Sequence, residues 1–278
     1  MNLADALHNP GLFTGKAVGK LRRQIVRMPS HSVVEQMRGG VRFEHKRLAF
    51  LDEEDMRAMI TRSYDLNLCV WLRKRLPPGA TVIDVGANVG YVSAVAASCV
   101  GTSGEVHGFE PLLECFERLQ VLRRLNPDFR FCFSNVAAGA ENGTIPISYN
   151  PQGDARNATL VPNHHGVLTR PVPVRRLDEY IEENISSPER IKFIKIDVEG
   201  FEFSVLRGLE RFFSRATSRP LIVCEIKPWE IRNIGYTMKD FAVYMGDFGY
   251  RAYNMLRENV PVSLTGLEDM ETVLFRAD

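Results

Sequence analysis

Asp84, Gly86, Asn88 and Gly90 fall within one short stretch, Asp84-Val85-Gly86-Ala87-Asn88-Val89-Gly90, directly after the β-branched run Thr81-Val82-Ile83. An acid at the carboxyl end of a strand, with glycine two residues on, fits a ligand site, because open α/β sheets hold ligands beyond the carboxyl ends of their strands, and taken alone it fits a plain strand-turn-helix as well. Gly86 lets the backbone turn sharply and approach a ligand with no Cβ in the way. The helix that follows would offer unpaired N–H groups and partial positive charge to a carboxylate. Asn88 stands where a dinucleotide fingerprint has its middle glycine, so a pyrophosphate is poorly served and a nicotinamide oxidoreductase is disfavoured. Glu110 ends Gly108-Phe109-Glu110-Pro111, 24 residues after Gly86. At that distance an acid can accept hydrogen bonds from both hydroxyls of an adenosine ribose; as a lone acid it would serve equally as a favourable charge at a helix start. Asn135 and Val136, after a third run, could meet the edge of an adenine ring or form a simple polar turn.

Asp197 and Glu199 follow a later strand, and their i, i+2 spacing turns both to one side if the strand persists. One could orient a cationic group of a cofactor while the other takes a proton from an acceptor; Glu199 could instead cap the turn. His165, beside His164 in a long insert, offers an imidazole that titrates in the useful range, although adjacent histidines in a polar loop are commonly just solvated. Glu225, closing the next strand, is a weaker candidate base. Two carboxylates without a recognisable further ligand give no reason to expect a metal.

These groups need strands and helices to hold them. Apolar residues from 54 to 76 recur at helical spacing and stop at Pro77-Pro78-Gly79, which predicts one helix. Strands are predicted at 81–85, 105–109, 131–136, 191–197 and 220–225, alternating with helices over 89–100, from about 112, and around 205–213. That alternation gives right-handed βαβ units and a parallel sheet. More than fifty residues separate the third strand from the next, with short strands at 144–149 and 172–174 and a helix near 177–183; an insert this long is usually functional. A helix at 241–248 and strands at 250–253 and 272–275 close the chain. Residues 1–50 read as an irregular extension.

The composition, 45% hydrophobic and 25% charged with 9% aromatic, is that of a globular protein with a sizeable core, and a net charge of +1 gives no global attraction to nucleic acid or anionic membrane. Residues 1–50 hold a local excess of basic side chains, read as a solvated face or as a surface for an anionic group. The cysteines, Cys69, Cys99, Cys115, Cys132 and Cys224, are scattered and odd in number, as expected of reduced thiols. No apolar stretch is long enough for a signal peptide or a membrane span, so a cytoplasmic location is expected.

Four blocks together resemble the FkbM-type family of S-adenosylmethionine-dependent methyltransferases: residues 83–90, residues 108–111, Asn135-Val136-Ala137, and Lys195-Ile196-Asp197-Val198-Glu199-Gly200-Phe201-Glu202. The resemblance runs from about Leu76 to Tyr253. It implies a Rossmann-like class I methyltransferase fold with a seven-stranded, mostly parallel sheet flanked by helices, spanning 51–278 with an insert at about 140–188. It also implies S-adenosyl-L-methionine as cofactor, with Asp84, Gly86, Asn88 and Gly90 around the methionyl part, Glu110 on the ribose, and Asn135 and Val136 by the adenine; Asp197, at the carboxyl end of the fourth strand, would then lie next to the methyl. By the same resemblance the reaction is O-methylation of a small-molecule, glycan, polyketide or lipid-like acceptor, with N-methylation or a non-catalytic cofactor-binding role as alternatives. No nucleic-acid partner is expected.

Overall fold

The computed structural model describes residues 17–18, 20, 22–24, 26, 28–150, 158–161, 168–215 and 218–277. Described residues between 17 and 24 are helical, and past Pro29 the chain forms a hairpin of β1 (Val33–Gln36) and β2 (Arg42–His45), turned through Gly39 and Gly40, both at positive φ. Val41 and Phe43 from it, with Leu51 beyond, are buried in the main core, so part of the stretch predicted to be irregular is an ordered cover.

The helix predicted over 54–76 is two helices, α1 (Glu53–Ile60) and α2 (Leu66–Arg75). Asp52 caps the first, accepting from the N–H groups of Glu54 and Asp55. The chain then doubles back: the N–H groups of Ser63 and Tyr64 both return to the carbonyl of Ala58, while Arg62 and Asp65 adopt positive φ. No glycine or proline marks this break.

β3 (Thr81–Val85), α3 (Tyr91–Val100), β4 (Glu105–Phe109), α4 (Leu113–Leu125) and β5 (Arg130–Ser134) follow as predicted, with the third strand ending two residues early. The insert carries β6 (Ala137–Ala138), β7 (Gly143–Tyr149), β8 (Leu168–Arg175) and α5 (Leu177–Asn184), and its three strands form a separate small sheet. β9 (Ile191–Ile196) returns the chain to the centre. The expected single helix after it is split into α6 (Glu202–Arg207) and α7 (Glu210–Arg215) around Gly208, where a Cβ would lie 2.1 Å from the carbonyl oxygen of Gly139. β10 (Leu221–Ile226), α8 (Pro228–Asn233), α9 (Met238–Asp247), β11 (Tyr250–Asn254) and β12 (Glu271–Ala277) complete the chain.

The main sheet has seven strands in the order β11-β12-β10-β9-β3-β4-β5, parallel except for β12, which is antiparallel to both neighbours. Alternate residues of each strand enter opposite cores: Val82, Phe193, Val223 and Leu274 join one, and Ile83, Ile194, Cys224 and Phe275 the other. Strand order reverses between β3 and β9, since the chain builds outward through β4 and β5 and then returns to the other side of β3. The carboxyl ends of those two strands therefore border the crevice where ligands bind in such sheets. Among the described residues no helix is long and apolar enough to cross a membrane.

Candidate active site

Beyond the carboxyl ends of β3, β4, β9 and β10 lies a cavity of about 560 Å³, a volume suited to a small molecule with a second one beside it. Gly86, Asn88, Glu110, Asp197, Glu199 and Glu225 all line it. Asp84, Gly90, Asn135 and Val136 do not; the first three have structural tasks nearby, and Val136 packs against the core. His164 and His165 lie outside the described residues.

Asp84 is buried under the bend, accepting from the Ser93 hydroxyl at 2.5 Å. Directly opposite it in the β3–β9 register is Lys195, a buried lysine at the cavity floor whose Nζ lies 3.7 Å from Asp84 Oδ1 and 3.2 Å from Asp197 Oδ2, and donates to the carbonyl of Gly86 at 3.2 Å. Burial alone would pull its ammonium down, but the carboxylates of Asp197 and Asp84 outweigh that and hold it above the ordinary lysine value. Lys195 thus fastens the bend after β3 to the turn after β9. Sequence reasoning quoted Lys195 only as part of a motif. Its signal was a lysine inside an apolar strand that a parallel sheet buries on both faces, a place that demands a partner.

The glycines act through sterics. A Cβ on Gly86, whose φ is +78°, would sit 1.9 Å from the carbonyl oxygen of Asp197, so the residue is needed for the close approach of two protein segments rather than for a ligand alone. At Gly90 a Cβ would meet the side-chain tips of Leu119 and Leu122 on α4.

Glu110 is buried yet reaches the cavity. Its Oε2 accepts the Asn88 N–H and its Oε1 the Leu112 N–H, each at 2.9 Å, and burial pushes the carboxyl up to about 7 against those bonds. Each oxygen keeps a lone pair for a hydroxyl. Asn135 donates to the carbonyls of Glu110 and Pro111, which fixes the start of α4. Ala137 and Ala138, not Val136, face the cavity after β5.

The second turn is charged. β9 ends at Ile196, and Glu199 lies in a turn with φ +55° followed by Gly200 at +101°. The strand does not persist, yet carboxylate oxygens of Asp197, Glu199 and Glu225 lie within 4.8 Å of one another. Glu225 joins because Cys224 pairs with Ile196 across β9 and β10, which sets the next residue of each strand side by side. Lys227 pairs with Glu199 and lies 3.8 Å from Glu225. Burial and the Asp197 charge push the Glu225 carboxyl up to about 7, with Lys227 opposing. Three carboxylates are a donor set that a hard divalent cation accepts, one more than the sequence suggested, although here Lys227 already supplies positive charge. Glu202 ties the turn: its Oε1 accepts the N–H groups of Val198 and Gly200, and burial pushes its carboxyl up to about 8.

The break between α1 and α2 forms the outer wall, with Asp55, Ser63, Tyr64 and Asp65 lining the cavity. Arg23 joins them, donating to the Ser63 hydroxyl at 2.7 Å and lying 3.6 Å from Glu54. On the insert side, Thr159 donates its hydroxyl to the carbonyl of Glu199 at 2.6 Å, and Ala158 and Leu160 line the cavity.

Known proteins bear on this arrangement. The chain is similar to a methyltransferase, sdnD, of Sordaria araneosa, with 27% identity over 167 residues, 49% of this chain and 62% of that protein. It is 32% identical over 169 residues to the AMB antimetabolite synthetase AmbE of Pseudomonas aeruginosa, 49% of this chain and 8% of that protein. Among solved structures, magnesium protoporphyrin IX methyltransferase from Synechocystis PCC 6803 with bound S-adenosylmethionine is similar at a TM-score of 0.42 and 14% identity, covering 83% of this chain and 84% of that one. The chain spans less than two thirds of the length of these curated relatives. The methyltransferase FkbM domain profile matches residues 84–252, from the carboxyl end of β3 through β11. That span is more than half of the sequence and contains the bend, Glu110 and the charged turn, so the chain belongs to the FkbM methyltransferase family.

Proposed function

We propose that this chain transfers the methyl group of S-adenosylmethionine to a hydroxyl oxygen of a small-molecule, glycan or lipid-like acceptor. S-adenosylmethionine is the cofactor, and when bound it supplies a methyl carbon activated by a positively charged sulfur. The observation that carries the reading is one cavity with Glu110 on one side and the Asp197–Glu199–Glu225 group on another. The donor set fits the cofactor: Glu110 offers lone pairs to a ribose diol, and the carboxylates complement the cationic groups.

The protein's own work is alignment, exclusion of water and proton removal. Asn88 and Leu112 hold Glu110 through their N–H groups, and Lys195 holds Asp197 in place. Asp197 and Glu199 are each held by a lysine, which leaves Glu225, with its raised affinity for a proton, as the carboxyl best suited to take one from a hydroxyl; a positioned base is worth about 10²–10⁴-fold. The openness of this carboxylate group to the cavity supports catalysis over a role that only binds the cofactor.

Calorimetry with S-adenosylmethionine tests the cofactor half. Glu110→Ala should weaken binding at least about tenfold, roughly 1.4 kcal/mol, and unchanged affinity would remove Glu110 from the site. Transfer of labelled methyl to amines alone, with hydroxyl compounds untouched, would refute the oxygen half.

A further inference from the structure

The expected basic surface within residues 1–50 raised the prospect of an acceptor with an anionic group. The charges of the cavity argue the opposite. Among the described residues carboxylates outnumber cations along its wall, with Asp55 and Asp65 on the α1–α2 side, Glu110 by β4, and Asp197, Glu199 and Glu225 beyond β9 and β10.

The cations there are also engaged. Lys195 is held by Asp84, Asp197 and the Gly86 carbonyl. Lys227 is paired with Glu199 and faces Glu225. Arg23 is the one side chain from the basic extension that, among the described residues, lines the cavity, and it is bound to Ser63 and lies against Glu54. A phosphate, sulfate or carboxylate is bound where guanidinium, ammonium or bare N–H groups converge on it. The N–H groups at the start of α3 are the place for the cofactor's own carboxylate, so an anionic acceptor would have to displace a carboxylate from its cation and then face the remaining acids. S-adenosylmethionine brings a net single positive charge, which reduces the negative excess without reversing it.

We infer that the acceptor is a polyhydroxylated molecule without an anionic group, neutral or amine-bearing, and that the cavity refuses phosphorylated or carboxylated analogues of it. This rests on the methyl-transfer reading. Carboxylates are apt partners for such a molecule, because they accept hydrogen bonds from hydroxyls and attract protonated amines, while like charges across a partly enclosed site repel strongly.

The field can be read without knowing the acceptor. Met270 lines the cavity and is 49% exposed, so Met270→Cys in a Cys132→Ser background places a reactive thiol at its edge. The variant is treated at about pH 8 with a trimethylammonium-bearing and with a sulfonate-bearing methanethiosulfonate, each rate divided by that for free cysteine. The cationic reagent should react at least about tenfold faster, S-adenosylhomocysteine should slow both, and Glu199→Gln with Glu225→Gln should bring the ratio toward one. A ratio of one, or faster reaction with the anionic reagent, overturns the inference. In parallel, labelled S-adenosylmethionine is offered with methyl glucoside, glucosamine, glucuronate and glucose 6-phosphate. Transfer to an anionic sugar at a rate equal to or above its uncharged counterpart overturns it; anionic sugars at least tenfold poorer support it; and if none is methylated, the reagent ratio decides. Failure of the unmodified protein to bind S-adenosylmethionine in calorimetry would instead strike the methyl-transfer reading and leave the measured field intact.

Discussion

The turns after β3 and β9 leave adjacent strands and face the same cavity, yet they are built on different physics. The first is shaped by absence: Gly86 has no Cβ where one would strike the Asp197 carbonyl, and Gly90 makes room for two leucines of α4. The second is shaped by charge and hydrogen bonding: Lys195 holds Asp197, Lys227 holds Glu199, and the buried Glu202 accepts from the Val198 and Gly200 N–H groups. Backbone geometry can be fixed by excluding side chains, but the placement of reactive carboxylates requires counter-charges, and Lys195 is where the two methods meet.

The strongest way to break this contrast is Lys195→Met. It strands Asp84, which is 1% exposed, and should cost about 4 kcal/mol in urea unfolding at neutral pH. The cost should shrink toward pH 4 as the stranded carboxylates take up protons; a loss independent of pH would mean the side chain acts by packing alone.

Glu202→Gln sharpens the charged side of the comparison. In the folded chain burial pushes this carboxyl from 4.5 up to about 8, so the folded state keeps a proton that the unfolded chain has lost, and stability falls as pH climbs between those values. The amide can still accept from Val198 and Gly200. The variant should match the unmodified protein near pH 5 and exceed it by about 4 kcal/mol near pH 9; an equal deficit at both would show that the carboxyl is ionised throughout. Gly86→Ala should cost about 3 kcal/mol, from positive φ combined with a backbone clash that no side-chain movement relieves, and that cost should not vary with pH. Gly90→Ala should show the smallest effect, about 1–2 kcal/mol, because the added methyl meets flexible leucine tips and the positive φ supplies most of the cost.

β3 was legible as a β-branched run bounded by turn residues and β4 as a short segment between Gly104 and Pro111, and both occupy the residues expected. The break between α1 and α2 was not, since Thr61, Arg62 and Ser63 carry no helix-stopping chemistry and the turn is imposed by bonds back to Ala58. The β1–β2 hairpin had a readable cue in Gly39-Gly40 between alternating apolar runs. In the site, Glu110, Asp197 and Glu199 were marked by motif and do reach one cavity. Lys195 and the approach of Glu225 depend on which strands become neighbours, and periodicity along one segment does not contain that information. Asp84 and Asn135 carry the right chemistry one layer too deep, their hydrogen bonds spent on the frame.

The hydrogen bond from Thr159 to the Glu199 carbonyl spans two parts of the chain that share no strand pairing. Ala158 and Leu160 flank that threonine and border the cavity, so one wall of the cavity and the peptide that carries Glu199 are tied by a single hydroxyl, a link that Thr159→Val would cut while keeping the side chain's shape.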